Sequence, residues 1–223
     1  MFGDIIQINT IEDFKNLTFK SIASLEWFSK FCRKADLYFK TDDDIPIHAN
    51  NLIKTLNEFK NSEFSENSII CHENQNRKII RNFEKVSEIM RSLRYSVNRF
   101  ATINNLKEKI LKYKINFSEL PGLYFPRYCS GFGYGFSAQV AHRLYKTALT
   151  IPYFMIEDVF ITGFCREKAK INIKDTKYLT LRPTVEPSEG VCAFSDNRIN
   201  VNEMTAKDIR RLWSHMESKP KCH

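Results

Sequence analysis

The chain has 223 residues, of which 43% are hydrophobic and 13% aromatic, enough to form one buried core. This composition excludes a disordered or collagen-like chain. Lys and Arg (34) outnumber Asp and Glu (26), but the basic residues are dispersed, so solvated helix faces are favoured over a nucleic-acid interface. No segment approaches the roughly 18 apolar residues of a membrane span, and the first residues lack a signal-peptide pattern.

The first quarter of the chain predicts a helix, a strand and a second helix. Apolar residues recur at helical spacing over 14–32, and the aromatic and aliphatic run 36–41 is typical of a short strand. Three aspartates follow this strand directly. A second helix is predicted through 52–59, after a proline and two asparagines. Without internal repeats or a Gly/Ser linker, residues 1–223 are expected to form one domain.

The rest of the chain changes in composition from segment to segment. Residues 84–108 carry a clean apolar stripe flanked by arginines, which predicts another helix. A segment rich in aromatic residues, Gly and Pro follows Pro121, and Ser137 is a natural N-cap for the next helix, through Leu149. Glu157 and Asp158 then lie between two apolar runs, and a last short helix ends near Trp213.

The triplet Asp42-Asp43-Asp44 is the first candidate for chemistry. In open α/β sheets, ligands bind at the carboxyl ends of strands, and clustered carboxylates are hard ligands for Mg²⁺ or Mn²⁺ that can bridge phosphates. An acidic turn that caps the following helix explains the same residues, because such turns are common.

Glu157 and Asp158 form the second candidate. Acidic residues within an apolar stretch are costly to bury unless they are paired or functional, and such a carboxylate can act as a general base. The alternative is a helix N-terminus, where the dipole stabilises negative charge. The residues alone leave the two interpretations open.

Two further patterns stay ambiguous on their own. Gly131, Gly133 and Gly135 alternate with aromatic residues, which excludes a Rossmann fingerprint and suits a strand closely approached by a ligand or simply a tightly packed strand. Six cysteines without C-x-x-C spacing are compatible with disulfides or with buried thiols.

In combination, three segments resemble glycosyltransferase family 31, which holds β-1,3-galactosyltransferases and β-1,3-N-acetylglucosaminyltransferases. They are ADLYFKTDDD, YFPRYCSGFGYGFS and EDVFITGFC, within a similarity over roughly residues 2–60 and 109–216. The resemblance implies a GT-A-type α/β sandwich with a mainly parallel central sheet. It also implies Mn²⁺ and inverting transfer of galactose or N-acetylglucosamine from a UDP-sugar, in β-1,3 linkage, to a glycan on a glycoprotein or glycolipid.

The resemblance also assigns roles to residues. Asp158 matches the position of the general base, and Asp44 that of the metal ligand, assisted by Asp42. The proposed nucleotide and sugar contacts are Asp42, Asp43, Gly133, Tyr134 and Glu157. Family members carry cysteines in a Golgi-luminal domain, so a Cys165–Cys192 disulfide is expected, with membrane attachment only through an N-terminal anchor that this chain does not include.

Three departures from the family pattern support an alternative. We expect the chain to lack the opening strands of the nucleotide-binding half, as an N-terminally truncated member would. The segment 84–108 is a possible helical insertion, and Asn197 stands where the family has a metal-binding His. The alternative is a catalytically inactive relative that binds a glycan or partner, whereas retention of Asp44 and Asp158 favours the enzyme.

Overall fold

The computed structural model describes residues 5–81, 111–180, 192–201 and 204–218. The predicted helix 84–108 lies outside these ranges. The described part contains helices α1 (Leu17–Phe31), α2 (Ala49–Lys60) and α3 (Ala138–Ala148), and strands β1 (Leu37–Lys40), β2 (Ser68–Asn74), β3 (Tyr128–Ser137) and β4 (Asn172–Asp175). A helical segment, α4, joins α-helical Glu157–Val159, π-helical Phe160–Cys165 and α-helical Arg166–Lys168, and α5 spans Ala206–Ser218.

The four strands form a mixed sheet in the order β1-β3-β2-β4. β3 is antiparallel to both β1 and β2, and only β2 and β4 pair in parallel among the described strands. The expectation of a mainly parallel sheet is therefore wrong for this part of the chain. Most of β3 is buried, so its sequence lacks the polar alternation that usually marks antiparallel strands. The α/β class is confirmed, and the GT-A assignment stays a prediction.

The main core lies between the sheet and helices α1, α3 and α4. The rings of Tyr38 and Phe136, neighbours across β1 and β3, stack with centroids 5.0 Å apart. Leu25 of α1 and Leu144 of α3 are almost fully buried in the same cluster. This packing holds the ends of β1 and β3 beside the beginning of α4.

Helix α2 covers the other face of β1 and β3. A Cβ at Gly135 would lie 3.1 Å from the ring of Phe39, 3.2 Å from Leu56 Cδ2 and 3.2 Å from the backbone oxygen of Tyr38. Glycine suits this position because α2 and β1 approach β3 so closely that a Cβ would press on its neighbours.

Two local predictions are confirmed, one for a helix cap and one for a strand. Ser137 precedes α3, and its Oγ accepts a hydrogen bond from the backbone N–H of Val140 at 3.3 Å, as an N-cap does. The strand predicted over 36–41 is β1.

No helix within the described ranges is both long and apolar enough to cross a membrane.

The cysteines pair differently from the expected pattern. Cys71 of β2 and Cys129 of β3 form a disulfide, whereas Cys165 is a buried free thiol, so the predicted Cys165–Cys192 bridge is wrong. Cys192 is disulfide-bonded elsewhere. The π-helical turn of α4 directs Cys165 into the core, and burial raises the pKa of its thiol to about 12.

Candidate active site

A cleft of about 560 Å³ opens where the carboxyl end of β1 meets the first turns of α1 and α4. Its lining comes from five parts of the chain: positions within 12–24, 38–44, 112–113 and 156–158, together with Gly131. Both acidic clusters predicted from the sequence therefore border one cleft, although more than a hundred residues separate them in the chain.

The acidic triplet forms an exposed turn directly after β1. Asp42, Asp43 and Asp44 are all exposed, and Asp42 Oδ1 accepts a hydrogen bond from Lys40 Nζ at 2.6 Å. The triplet does not cap α2, because His48 Nδ1 occupies that position and accepts from the backbone N–H of Asn51 at 3.3 Å. The interpretation of the aspartates as a helix cap therefore fails, and they are available to a ligand.

Glu157 is a buried junction with only 7% of its side chain exposed. Its Oε1 accepts hydrogen bonds from Ser21 Oγ at 2.8 Å and from the Tyr134 hydroxyl at 2.5 Å. Its Oε2 lies 3.3 Å from Lys40 Nζ. Burial, followed by the negative charge of Glu157, raises the pKa of Tyr134 well above its usual value, so its hydroxyl remains a donor. Tyr134 therefore influences the cleft by holding the carboxylate of Glu157 in place.

Asp158 is partly buried beside Glu157, and both of its carboxylate oxygens are oriented by backbone N–H groups. Oδ1 accepts from Val159 at 2.8 Å and Oδ2 accepts from Gly131 at 3.2 Å. Burial and then the charge of Glu157 raise the pKa of Asp158 to about 7, against the opposing effects of these N–H groups and Lys40. A carboxylate with this pKa suits general-base chemistry near neutral pH.

Asp158 lies in the first turn of α4, so the helix-terminus interpretation also describes its position. The two interpretations that the sequence left open are therefore compatible in the structure.

Lys40 is a cleft residue that the sequence analysis missed. Its side chain is 19% exposed, and Nζ also donates to the backbone oxygen of Gly131 at 2.9 Å. Burial lowers the pKa of Lys40, but the carboxylates of Glu157, Asp42 and Asp158 outweigh this effect and raise it. Lys40 therefore stays charged. Its position two residues before Asp42 is a signal in the sequence, but strand alternation alone does not reveal its partners.

The alternating glycines do not share one face of β3. Cys71 pairs with Tyr134 but Glu73 pairs with Cys129, so residues 130–133 bulge from the ladder. Gly131 consequently faces Asp158, with its Cβ position 3.5 Å from Oδ2. Gly133, predicted to contact the sugar, instead faces Leu179 and Phe39 outside the cleft lining.

An aromatic pair forms part of the cleft lining. The rings of Phe14 and Tyr113 meet edge to face with centroids 5.0 Å apart, and Lys112 Nζ lies 4.0 Å from the Phe14 centroid. Burial and the negative charges of Asp158, Asp42 and Asp44 raise the pKa of Tyr113. This pair was not among the predicted site residues.

The donor set at the acidic turn is chemically suited to a divalent cation. Among the described residues, no group of three or more His, Cys, Asp or Glu side chains is arranged to hold a metal ion by itself. Mg²⁺ and similar hard ions, however, often bind through one or two carboxylates and take further ligands from substrate phosphates. The exposed carboxylates of Asp42 and Asp44 fit that mode of binding.

Comparison with known proteins identifies the family. A family model described as Galactosyltransferase matches residues 1–177. The chain belongs to the galactosyltransferase family. This match confirms the resemblance to glycosyltransferase family 31.

The relatives of this galactosyltransferase-family chain carry β-1,3-transferase names. It is 29% identical over 195 residues to "Beta-1,3-galactosyltransferase 5" of Homo sapiens, covering 86% of this chain and 52% of that protein. It is 27% identical over 223 residues to "UDP-GalNAc:beta-1,3-N-acetylgalactosaminyltransferase 1" of Homo sapiens, covering 100% of this chain and 58% of that protein. The chain thus spans about half the length of the curated relatives it matches.

Proposed function

We propose that this chain carries the acceptor-activating and metal-binding part of an inverting β-1,3-glycosyltransferase. The enzyme would transfer galactose or an N-acetylhexosamine from a UDP-sugar to an acceptor glycan on a glycoprotein or glycolipid. The observation that carries the proposal is the shared cleft, in which Asp158, with a pKa of about 7, lies with the acidic triplet.

Asp158 is the proposed general base. Its carboxylate would take the proton from an acceptor hydroxyl as that oxygen attacks C1 of the donor sugar. A bond forms between the acceptor oxygen and C1 while the bond from C1 to the UDP oxygen breaks, and UDP leaves from the opposite face. This single displacement inverts the anomeric centre, and a base in this role contributes about 10²–10⁴-fold to the rate.

Asp44, with Asp42, is the proposed ligand set for Mn²⁺. When bound, the ion would neutralise negative charge on the leaving diphosphate. Asp43 is proposed as a further nucleotide contact, which its exposure in the same turn supports. Glu157 borders the proposed sugar pocket, with Tyr134 holding it from beneath. Gly133 is the least supported of the substrate assignments, because it faces away from the cleft.

We further propose that the enzyme acts in the Golgi lumen. The Cys71–Cys129 disulfide supports this location, because disulfides persist in oxidising compartments.

The alternative is an inactive relative that binds a glycan or a partner. Asn197 favours it, because its amide oxygen would bind Mn²⁺ less strongly than the His that the resemblance places at this position.

Calorimetric titration of UDP, with and without Mn²⁺, tests the proposal. We expect binding that requires Mn²⁺, is lost in Asp44→Ala and is kept in Asp36→Ala, an exposed carboxylate paired with Lys60. UDP-galactose, UDP-N-acetylgalactosamine and UDP-N-acetylglucosamine would then be assayed with a panel of oligosaccharide acceptors. A folded sample that binds no UDP in either condition would contradict the proposed function, and binding without transfer to any acceptor would favour the inactive relative.

A further inference from the structure

Lys40 contacts both acidic clusters of the cleft. Its ammonium nitrogen lies 2.6 Å from Asp42 Oδ1 on the exposed turn and 3.3 Å from Glu157 Oε2 beside Asp158. It also donates to the backbone oxygen of Gly131 at 2.9 Å, in the strand segment that orients Asp158. One side chain therefore connects the proposed donor side of the cleft to the proposed base.

The end of β1 also supplies partners for the bulge of β3. The β1–β3 ladder ends at the pair Lys40 and Tyr134, before the bulge begins. Beyond it, Lys40 Nζ binds the oxygen of Gly131, and Thr41 Oγ1 donates to the oxygen of Phe132 at 2.8 Å. These contacts fix the bulge that presents the N–H of Gly131 to Asp158.

A lysine suits this position for a chemical reason. An ammonium group has three donors, and three oxygens surround it: Asp42 Oδ1, Gly131 O and Glu157 Oε2. The planar fork of an arginine is built for bidentate recognition instead. Removing the charge of Lys40 would leave Glu157 without its cationic partner. This loss is costly because both side chains are mostly buried.

We propose that Lys40 is a positioning residue that fixes the position of the acidic turn relative to Asp158. The site that binds the nucleotide and the base that activates the acceptor are thereby held in a constant arrangement. This inference rests on the proposed function. It deepens that function by assigning the coupling of the two acidic clusters to a residue that need not touch the substrate.

Amide hydrogen exchange in the ligand-free full chain tests the proposal without any substrate. In Lys40→Met we expect exchange to rise by about tenfold in the turn 41–45 and the bulge 130–133, where the contacts are lost. The matched control is Lys60→Met, which removes an exposed ion pair of the same 2.6 Å length and should leave both segments unchanged. Unchanged exchange in Lys40→Met would overturn the proposal.

A double-mutant cycle links the positioning to transfer. With UDP-galactose and the best acceptor of the panel, Lys40→Met and Glu157→Gln should each lower kcat by about tenfold, and the double variant should lose much less than the product. Additive losses would overturn coupling through Glu157. Weaker UDP binding with normal exchange would show that Lys40 binds phosphate directly, which also overturns the proposal. A wild-type chain that transfers no sugar contradicts the proposed function, whereas the exchange result still decides the role of Lys40.

Discussion

The two acidic clusters of the cleft are made of similar residues in opposite environments. Asp42–Asp44 are exposed on a turn, whereas Glu157 is buried and Asp158 partly buried at the start of α4. Hydrated carboxylates can exchange water for a cation or a ligand. The carboxylate of Asp158, held by fixed donors in a partly dry site, has a raised pKa instead. Burial, more than residue type, therefore separates the proposed cation ligands of the exposed turn from Asp158, the proposed base.

Glu157 and Asp158 show the same contrast within two adjacent residues. The Glu157 carboxylate has side-chain partners from α1, β1 and β3, so it organises the structure. Asp158 is oriented by backbone N–H groups and borders the cleft, which leaves its charge to respond to a bound acceptor.

The largest expected effect is the loss of transfer in Asp158→Asn. The amide keeps the size of the carboxylate but cannot take a proton, so kcat should fall by about 10²–10⁴-fold while UDP binding is retained. Steady-state kinetics beside calorimetry would check this separation. Asp36→Asn is the exposed control, and transfer at the wild-type rate in Asp158→Asn would exclude Asp158 as the base.

The same residue should set the pH dependence. With a pKa of about 7, Asp158 is protonated in acid, so kcat/KM should rise with pH and reach half its plateau near pH 7. Stability should change with pH in the opposite direction to activity, because the pKa of Asp158 is higher in the folded than in the unfolded chain. The contribution of this group to the free energy of unfolding is at its maximum below about pH 4 and is lost as the pH rises to about 7. Thermal unfolding should therefore show the wild type losing more stability between pH 5 and pH 8 than Asp158→Asn does, and equal losses would contradict the raised pKa.

Replacing Glu157 should mainly lower the free energy of unfolding. Glu157→Leu leaves Ser21 and Tyr134 without their acceptor and removes one of the three oxygens around Lys40, and breaking a buried ion pair costs about 3–5 kcal/mol of unfolding free energy. Urea denaturation measures this loss. Glu26→Leu, which breaks an exposed pair with Lys30, should unfold at the wild-type midpoint. Similar midpoints for both variants would show that Glu157 is not the structural junction.

The disulfide should stabilise the Asp158 side of the cleft. Cys71 and Cys129 join β2 to β3 just before the bulge, across a sequence separation of 58 residues. The double variant Cys71→Ala/Cys129→Ala should lose about 2–4 kcal/mol in urea unfolding, largely because its unfolded chain is less constrained. Cys32→Ala removes a half-buried free thiol and serves as the control. Equal losses in the two proteins would argue against this role.

The smallest effects should distinguish Gly131 from Gly133, the two glycines within the bulge. A Cβ at Gly133 would lie 2.9 Å from Leu179 Cδ2, so Gly133→Ala should cost about 1 kcal/mol of stability and leave the pH profile unchanged. A Cβ at Gly131 has ordinary contacts, 3.5 Å from Asp158 Oδ2, so Gly131→Ala should fold normally and shift the acid limb upward by drying the carboxylate. The reverse pattern would place Gly133 in the cleft, as the sequence predicted.

Much of the local structure was predictable because its signals are local. The stripe over 14–32, the strand before the acidic triplet and the Ser137 cap all depend on residues within a few positions of one another. Strands β2 and β4 were missed, since β2 begins as a short buried apolar run and ends in polar residues, and β4 is largely polar.

The amino-acid sequence alone predicted helices α1, α2, α3 and α5, strand β1, the order of the motifs and the family to which they belong. It also placed the acidic triplet at a strand end, and it offered a helix start as one of two interpretations of Glu157 and Asp158. Tertiary structure decided the mixed direction of the sheet, the Cys71–Cys129 pairing, the bulge that selects Gly131 over Gly133, and the contacts of Lys40. Each of these depends on which distant segments meet, and neither composition nor periodicity encodes strand pairing, register or the partners of a buried charge.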